Sequence, residues 1–307
     1  VIVMKFGGSS VRGAEPIRRV IEIVRGRLAR KPVVVVSAMR GTTDALIALG
    51  QDLARGSAYR LGAIRQEHLK AVADLGLEPR IVERELAELE ALAKGVAMVR
   101  ELSPRSWDAM VSFGERLSAR IIAAAFAKAG IAARAHDAFD AGMLTDDRFG
   151  AARPLPEADA AIRKALGKPK ELAVVTGYIG KTKGGEVTTL GRNGSDYTAT
   201  ILGAALGAEE VEIWTDVDGV MTADPALVGG ARSLKRLSFA EASELAYYGG
   251  RVLHPATLLP AVRKGIPIRV LNTFRPGAPG TVILAKPSHE KGIRSIAYKK
   301  GQHVVSV

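Results

Sequence analysis

The chain has 307 residues, 47% hydrophobic and 25% charged, with no cysteine and a formal net charge of +12. This excludes disorder, disulfide scaffolds, thiolate catalysis and cysteine metal sites, and the length allows one large domain or two lobes. No stretch reaches the ~20 apolar residues that span a bilayer, and "VIVMKFGG" is too short an apolar run for a signal peptide.

The basic residues are interleaved with acidic ones, as in "RRVIEIVRGRLARK", and only seven Phe and two Trp are available to stack on bases. Neither nucleic acid nor membrane is therefore an expected partner. A cytoplasmic enzyme acting on acidic, phosphate-bearing small molecules accounts for the charge.

In chain order, "VIVMKF" (residues 1–6) reads as a first strand and "KPVVVVSA" (31–38) as the next, buried on both faces. Between them Ile17, Val20, Ile21, Val24 and Leu28 recur at helical spacing. Residues 43–102 read as consecutive helices, an insertion expected to form a lid over one sheet edge. Ser103 followed by Pro104 starts a further helix with a core face of Leu117, Ile121, Ile122 and Phe126. Strands are expected at 132–135, 143–145 and 171–180. Then come strand, loop and helix over 186–208, a strand at 209–215, helices at 239–250 and 254–265, and strands at 266–273 and 281–284. The alternation predicts an α/β fold on a largely parallel sheet.

Five loops carry polar chemistry. In "MKFGGSSV", Lys5 precedes Gly7, Gly8 and Ser9, a set suited to surrounding an anion or simply to a tight turn. "VVVVSAMRGTTDAL" offers Ser37, Thr42 and Thr43 at a strand end, as anion donors or as helix caps. In "SFGERL", Glu115 lies beside a glycine, expected near a helix start. There it can bind an ammonium group or pair with Arg116 or Arg120 on the surface.

"TLGRNGSDYTA" offers Arg192 for a carboxylate, Ser195 and a helix N-terminus for an anion, and Asp196 to orient a lysine or a nucleophile. The plainer reading makes Asp196 a helix cap and leaves Arg192 on the surface. "WTDVDGVMTADP" holds Asp216, Asp218 and Asp224, which suit ribose hydroxyls or hydrated Mg²⁺. Phosphoryl transfer needs charge neutralisation and alignment more than covalent help, so a kinase of small acidic molecules is the leading class.

The motifs "KFGGSSV", "VVVVSAMRGTTDAL", "SFGERLSA", "TLGRNGSDYTA", "IWTDVDGVMTADP", "RVLHPATL" and "IPIRVLNT" occur in the order seen in aspartate kinases. The resemblance covers residues 1–285. It implies the three-layer α/β/α amino-acid kinase (carbamate-kinase-like) fold around a largely parallel open sheet, with a helical insertion at about 43–102. It further implies an amino-acid-binding lobe over 1–200, an ATP-binding lobe over 201–285, and at 286–307 a linker and the start of a truncated ACT-like regulatory segment.

The implied reaction transfers the ATP γ-phosphoryl group to the β-carboxylate of L-aspartate, the first step towards lysine, threonine and methionine. Mg²⁺ would be held mainly through the nucleotide phosphates, and the full-length form would be a homodimer or larger homo-oligomer. By this resemblance Lys5 neutralises the phosphoryl group while Gly7, Gly8 and Ser9 surround the phosphates. Ser37, Thr43 and Ser195 contact aspartate, Glu115 meets its α-ammonium and Arg192 its α-carboxylate. Asp196 organises Lys5 and the reacting groups, and Thr215, Asp216, Met221, Asp224, Arg251 and Val252 lie on the nucleotide side.

Met221, Ala226 and Arg251 depart from the common tyrosine, arginine and lysine at those places. "GRNGSD" is similar to the kinase part of bifunctional aspartate kinase–homoserine dehydrogenases. The rival readings are a kinase of N-acetylglutamate, glutamate or a nucleoside monophosphate, and a non-catalytic sensor.

Overall fold

The computed structural model describes residues 1–57, 61–224, 227–247, 254–285 and 294–296. Eight strands make one sheet: β1 (Ile2–Phe6), β2 (Pro32–Val36), β3 (Ala133–His136), β4 (Leu172–Thr176), β7 (Glu210–Thr215), β8 (Arg236–Ser238), β9 (Ile268–Asn272) and β10 (Thr281–Leu284). Their order is β3-β4-β2-β1-β7-β9-β10-β8, parallel from β3 to β9, with β10 antiparallel to β9 and parallel to β8. β5 (Ile179–Lys181) and β6 (Val187–Thr189) form a separate antiparallel hairpin.

β1 pairs with β2 on one side and β7 on the other; the chain runs from β1 outward to β2, and from β7 outward to the opposite edge, so the direction of the connections reverses between β1 and β7. Such a reversal opens a crevice at the carboxyl ends of the strands. Both faces are covered, which is why β1 and β2 are apolar at nearly every position.

Alternation along β2 assigns its valines to two cores. Val33 and Val35 join α6 (Ala158–Leu166), α7 (Gly194–Leu206), α8 (Phe239–Tyr247) and α9 (Pro255–Arg263). Val34 and Val36 join α1 (Ala14–Arg25) and α5 (Pro104–Lys128). Within β1, Met4 and Phe6 belong to the α1/α5 side, which directs Lys5 to the face that α7 covers.

The expected insertion is helical: α2 (Thr42–Arg55), α3 (Leu61–Asp74) and α4 (Arg80–Val99). Leu46, Leu49, Leu53, Ile64, Leu89 and Val96 bury a core of their own against Met110, Val111 and Phe113 at the start of α5. Ser103 caps α5, its hydroxyl accepting the Ser106 amide at 3.2 Å.

Two strand expectations need correction. The 143–145 segment makes only isolated bridges, Leu144 to Lys181 and Thr145 to Pro154. The strand expected over 171–180 breaks after Thr176, because Gly177 lies against α7 and Tyr178 takes a left-handed φ of 68°. α6 and β8 were not anticipated; both are short. The boundary placed at residue 200 falls inside α7, and four strands from each side of it share the one sheet. Residues 286–293 and 297–307, and with them most of the ACT-like segment, lie outside the described residues.

Candidate active site

Strand ends place the polar loops side by side. Lys5 is the second-last residue of β1, paired in register with Val35 of β2 and Ile213 of β7. The chain leaves β1 through Gly7 into a short 3-10 turn, Gly8–Val11. The Gly7 amide donates to the Trp214 carbonyl at 3.2 Å, so it braces the turn against β7 and is not available to a phosphate. A Cβ at Gly8 would sit 2.9 Å from the Ala38 carbonyl oxygen; the glycine lets this turn meet the loop after β2. Arg40 N–H donates to the Gly8 carbonyl at 3.2 Å across the same contact. Ser9 and Ser37 are half-buried beside it, as is Thr43 in the first turn of α2.

Asp196 is no cap. Asn193, with φ of 56°, occupies the cap position of α7 and makes no side-chain capping bond. Asp196 lies in the first turn, buried, with its Oδ1 2.6 Å from Lys5 Nζ. The two groups form an ion pair that is not aligned as a hydrogen bond, and Oδ1 has no other partner. A buried pair of this kind is weak evidence for stability alone. What it does fix is the position of the Lys5 ammonium beside the first turn of α7. Ser195 is buried at the same helix end, and Arg192 is exposed in the preceding loop with no ion pair among the described residues.

Glu115 lies in the middle of α5, not near a helix start, and is 3% exposed. Gly114 makes this possible: a Cβ there would lie 2.8 Å from that of Ala38, so α5 packs directly on the loop after β2. Glu115 Oε1 accepts the Ala38 N–H at 3.1 Å, while Oε2 is buried with no partner. Burial pushes the carboxyl up to about 8, against the opposing pull of that N–H.

The neighbouring arginines are committed elsewhere. Arg116 reaches Asp137 at 3.2 Å and Glu88 at 2.7 Å, and Arg120 reaches Asp137 at 2.8 Å and Glu85 at 2.9 Å. The surface-pair reading of Glu115 therefore fails.

Thr42, offered by the sequence with Ser37 and Thr43, has its Oγ1 buried without a partner and its methyl group beside Gly114. One further group escaped the sequence-based candidate set. Tyr178 packs on Gly194 at the start of α7, and burial pushes its phenol above the ordinary value against the Thr189 hydroxyl. Its left-handed backbone carries no sequence signature.

On the opposite flank, Thr215 ends β7 and its hydroxyl donates to Asp216 at 3.3 Å. Asp216 is exposed and Met221 half-buried; Asp224 is exposed, its carbonyl accepting the Leu227 and Val228 amides at 3.0 Å. Asp218 is occupied structurally, accepting from Asn272 Nδ2 at 2.7 Å and from Arg275. Among the described residues no group of three His, Asp or Glu side chains is placed to hold a metal ion. Arg251, Val252 and Ala226 lie outside the described residues.

The loops bearing Lys5, Ser37, Thr43 and Thr215 thus follow the carboxyl ends of adjacent parallel strands, with Glu115 and Asp196 brought up to them by α5 and α7. Residues 1–272 match the amino acid kinase family, and the chain belongs to it. It is 43% identical to the chloroplastic aspartokinase 3 of Arabidopsis thaliana, over 99% of this chain and 57% of that protein. The E. coli aspartokinase III structure in complex with aspartate and ADP superposes with a TM-score of 0.86 at 36% identity, covering 97% of this chain and 67% of that one.

A chloroplastic bifunctional aspartokinase/homoserine dehydrogenase of Zea mays is 34% identical, over 94% of this chain and 33% of that protein. The subgroup leaning drawn from Asn193 is thus not followed by overall identity. The chain spans about 57% of the length of the Arabidopsis relative.

Proposed function

We propose that this chain transfers the γ-phosphoryl group of ATP to the β-carboxylate of L-aspartate, giving 4-phospho-L-aspartate and ADP. The observation that carries the proposal is Glu115, a sealed carboxyl with one oxygen unsatisfied and both adjacent arginines engaged elsewhere. Such a group calls for a compact cation with hydrogen-bond donors, which a free α-ammonium supplies. N-acetylglutamate and nucleoside monophosphates bring no such cation. The likeness to an aspartokinase holding aspartate and ADP supports the same acceptor and donor.

In this reading Arg192, at the loop edge, takes the α-carboxylate. Lys5 neutralises charge on the transferring group, and Asp196 holds Lys5 in place. The acceptor carboxylate is already ionised at neutral pH, so no strong base is needed. Mg²⁺ would arrive on the nucleotide phosphates and shield their charge, with the 216–224 loop flanking the nucleotide. The same reading makes this the first step towards lysine, threonine and methionine, and a reducing compartment such as the cytoplasm fits the cysteine-free composition.

The test is an acceptor panel with Mg·ATP, trapping acyl phosphate with hydroxylamine. Aspartate alone should give hydroxamate; product from N-acetylglutamate and none from aspartate would overturn the proposal. Lys5→Ala should lower kcat by about 10²- to 10³-fold. Arg192→Ala should chiefly raise the aspartate KM.

A further inference from the structure

We propose that Asp108 is a positioning residue for amino-acid binding, fixing the Arg192 loop relative to Glu115. The inference rests on the functional reading above.

Asp108 lies on α5 seven residues before Glu115, two helical turns away on the same face. It is completely buried and meets no cation among the described residues. Its carboxylate is instead spent on two backbone segments. Oδ2 accepts the Gly150 and Thr189 amides, each at 2.8 Å, and Oδ1 accepts the Thr189 hydroxyl at 2.9 Å. Burial raises its carboxyl, and those three donors oppose the rise.

Thr189 is the last residue of β6, three before Arg192. From there the loop is held by consecutive backbone bonds. The Thr189 carbonyl accepts the Ala152 amide at 2.8 Å, the Leu190 amide donates to Tyr178 at 2.8 Å, and the Gly194 amide donates to Gly191 at 3.0 Å. A Cβ at Gly191 would lie 3.1 Å from the Gly150 carbonyl oxygen, so both segments that Asp108 holds also touch each other.

The α-ammonium and α-carboxylate of an amino acid sit on one carbon, so the groups that bind them must keep a fixed separation. Helix α5 carries Glu115 itself and, through Asp108, the root of the Arg192 loop. One rigid element thereby sets both contacts. Displacements of about 1 Å at such a root are enough to change binding substantially.

The experiment compares Asp108→Ala, Asp108→Asn and Thr189→Val with wild type in the hydroxylamine assay, alongside thermal melts. Asp108→Ala should raise the aspartate KM about tenfold or more while the ATP KM stays within about twofold. Asp108→Asn should bring the aspartate KM back to within about threefold of wild type, because its amide oxygen can accept both backbone N–H groups while its NH₂ donates to the Thr189 hydroxyl. Thr189→Val, which removes one of the three bonds, should raise the aspartate KM by less.

An unchanged aspartate KM in Asp108→Ala, or an ATP KM that climbs in parallel, overturns the inference. So does an Asn variant that melts like wild type yet shares the alanine defect. If Asp108→Ala does not fold, an unchanged aspartate KM in Thr189→Val overturns it. Wild-type chain that gives no aspartyl hydroxamate overturns the functional reading, and this inference with it.

Discussion

A carboxyl sealed between α5 and the end of β2, with one oxygen unsatisfied, keeps its proton until a cation arrives. With its pKa at about 8, Glu115 is mainly protonated at pH 7 in the ligand-free protein. An incoming ammonium favours the ionised form, so binding drives the proton off. Calorimetric titration with aspartate at pH 7, in two buffers of different ionisation enthalpy, should show about one proton released, and none in Glu115→Gln. Equal heats in both buffers for wild type would remove the role given to Glu115. The same shift acts on stability: a carboxyl raised on folding contributes most below its unfolded value near 4.5, and that contribution is lost as pH rises to about 8. The ligand-free Gln variant should therefore have a flatter stability profile across that window. From residues alone Glu115 could not be separated from a surface partner of Arg116 or Arg120, because the group that claims both arginines, Asp137, lies just after β3 and is brought to them only by the fold. Only its place in an ordered set of motifs singled it out.

Elements with a strong period were legible, and elements ended by a tertiary contact were not. The apolar stripes of α1 and the insertion helices, the Ser103–Pro104 start of α5 and the valine run of β2 each carry their signal locally. The break after β4 does not: "VVTGYIG" reads as one strand until α7 is seen against it. A Cβ at Gly177 would lie 2.4 Å from Ser195 Oγ and 2.9 Å from its Cα, so backbone as well as side chain would have to yield. Ser195 immediately precedes Asp196, and any shift of this first turn alters the Lys5–Asp196 contact. Gly177→Ala should cost about 1–3 kcal/mol in denaturant unfolding and lower kcat by about tenfold or more. Stability and turnover both at wild-type level would show that the close approach is not needed.

At the scale of the whole molecule, one sheet serves two cores, and β1 and β2 are shared between them. The sequence announced this through strands apolar on both faces, and so gave the layered architecture. It could not give the strand order or the antiparallel β9–β10 pairing near the sheet edge, which depend on how helices of different lengths return the chain. Val34 faces the α1/α5 core and Val35 the α7/α9 core, though they are adjacent in one strand. If the two layers are stable only through their common sheet, a cavity on either side must weaken both. Val34→Ala and Val35→Ala should each cost about 2 kcal/mol, from the transfer of two methyl groups plus an incompletely collapsed cavity. In denaturant unfolding each should lower the midpoint read by far-UV circular dichroism and by tryptophan fluorescence together, since Trp214 lies in the α1/α5 core and Trp107 packs on the insertion-helix core, both outside the α7/α9 core, while helices on both faces supply the dichroism. A Val35→Ala protein whose dichroism midpoint falls while its fluorescence midpoint stays at the wild-type value would show that the layers melt separately.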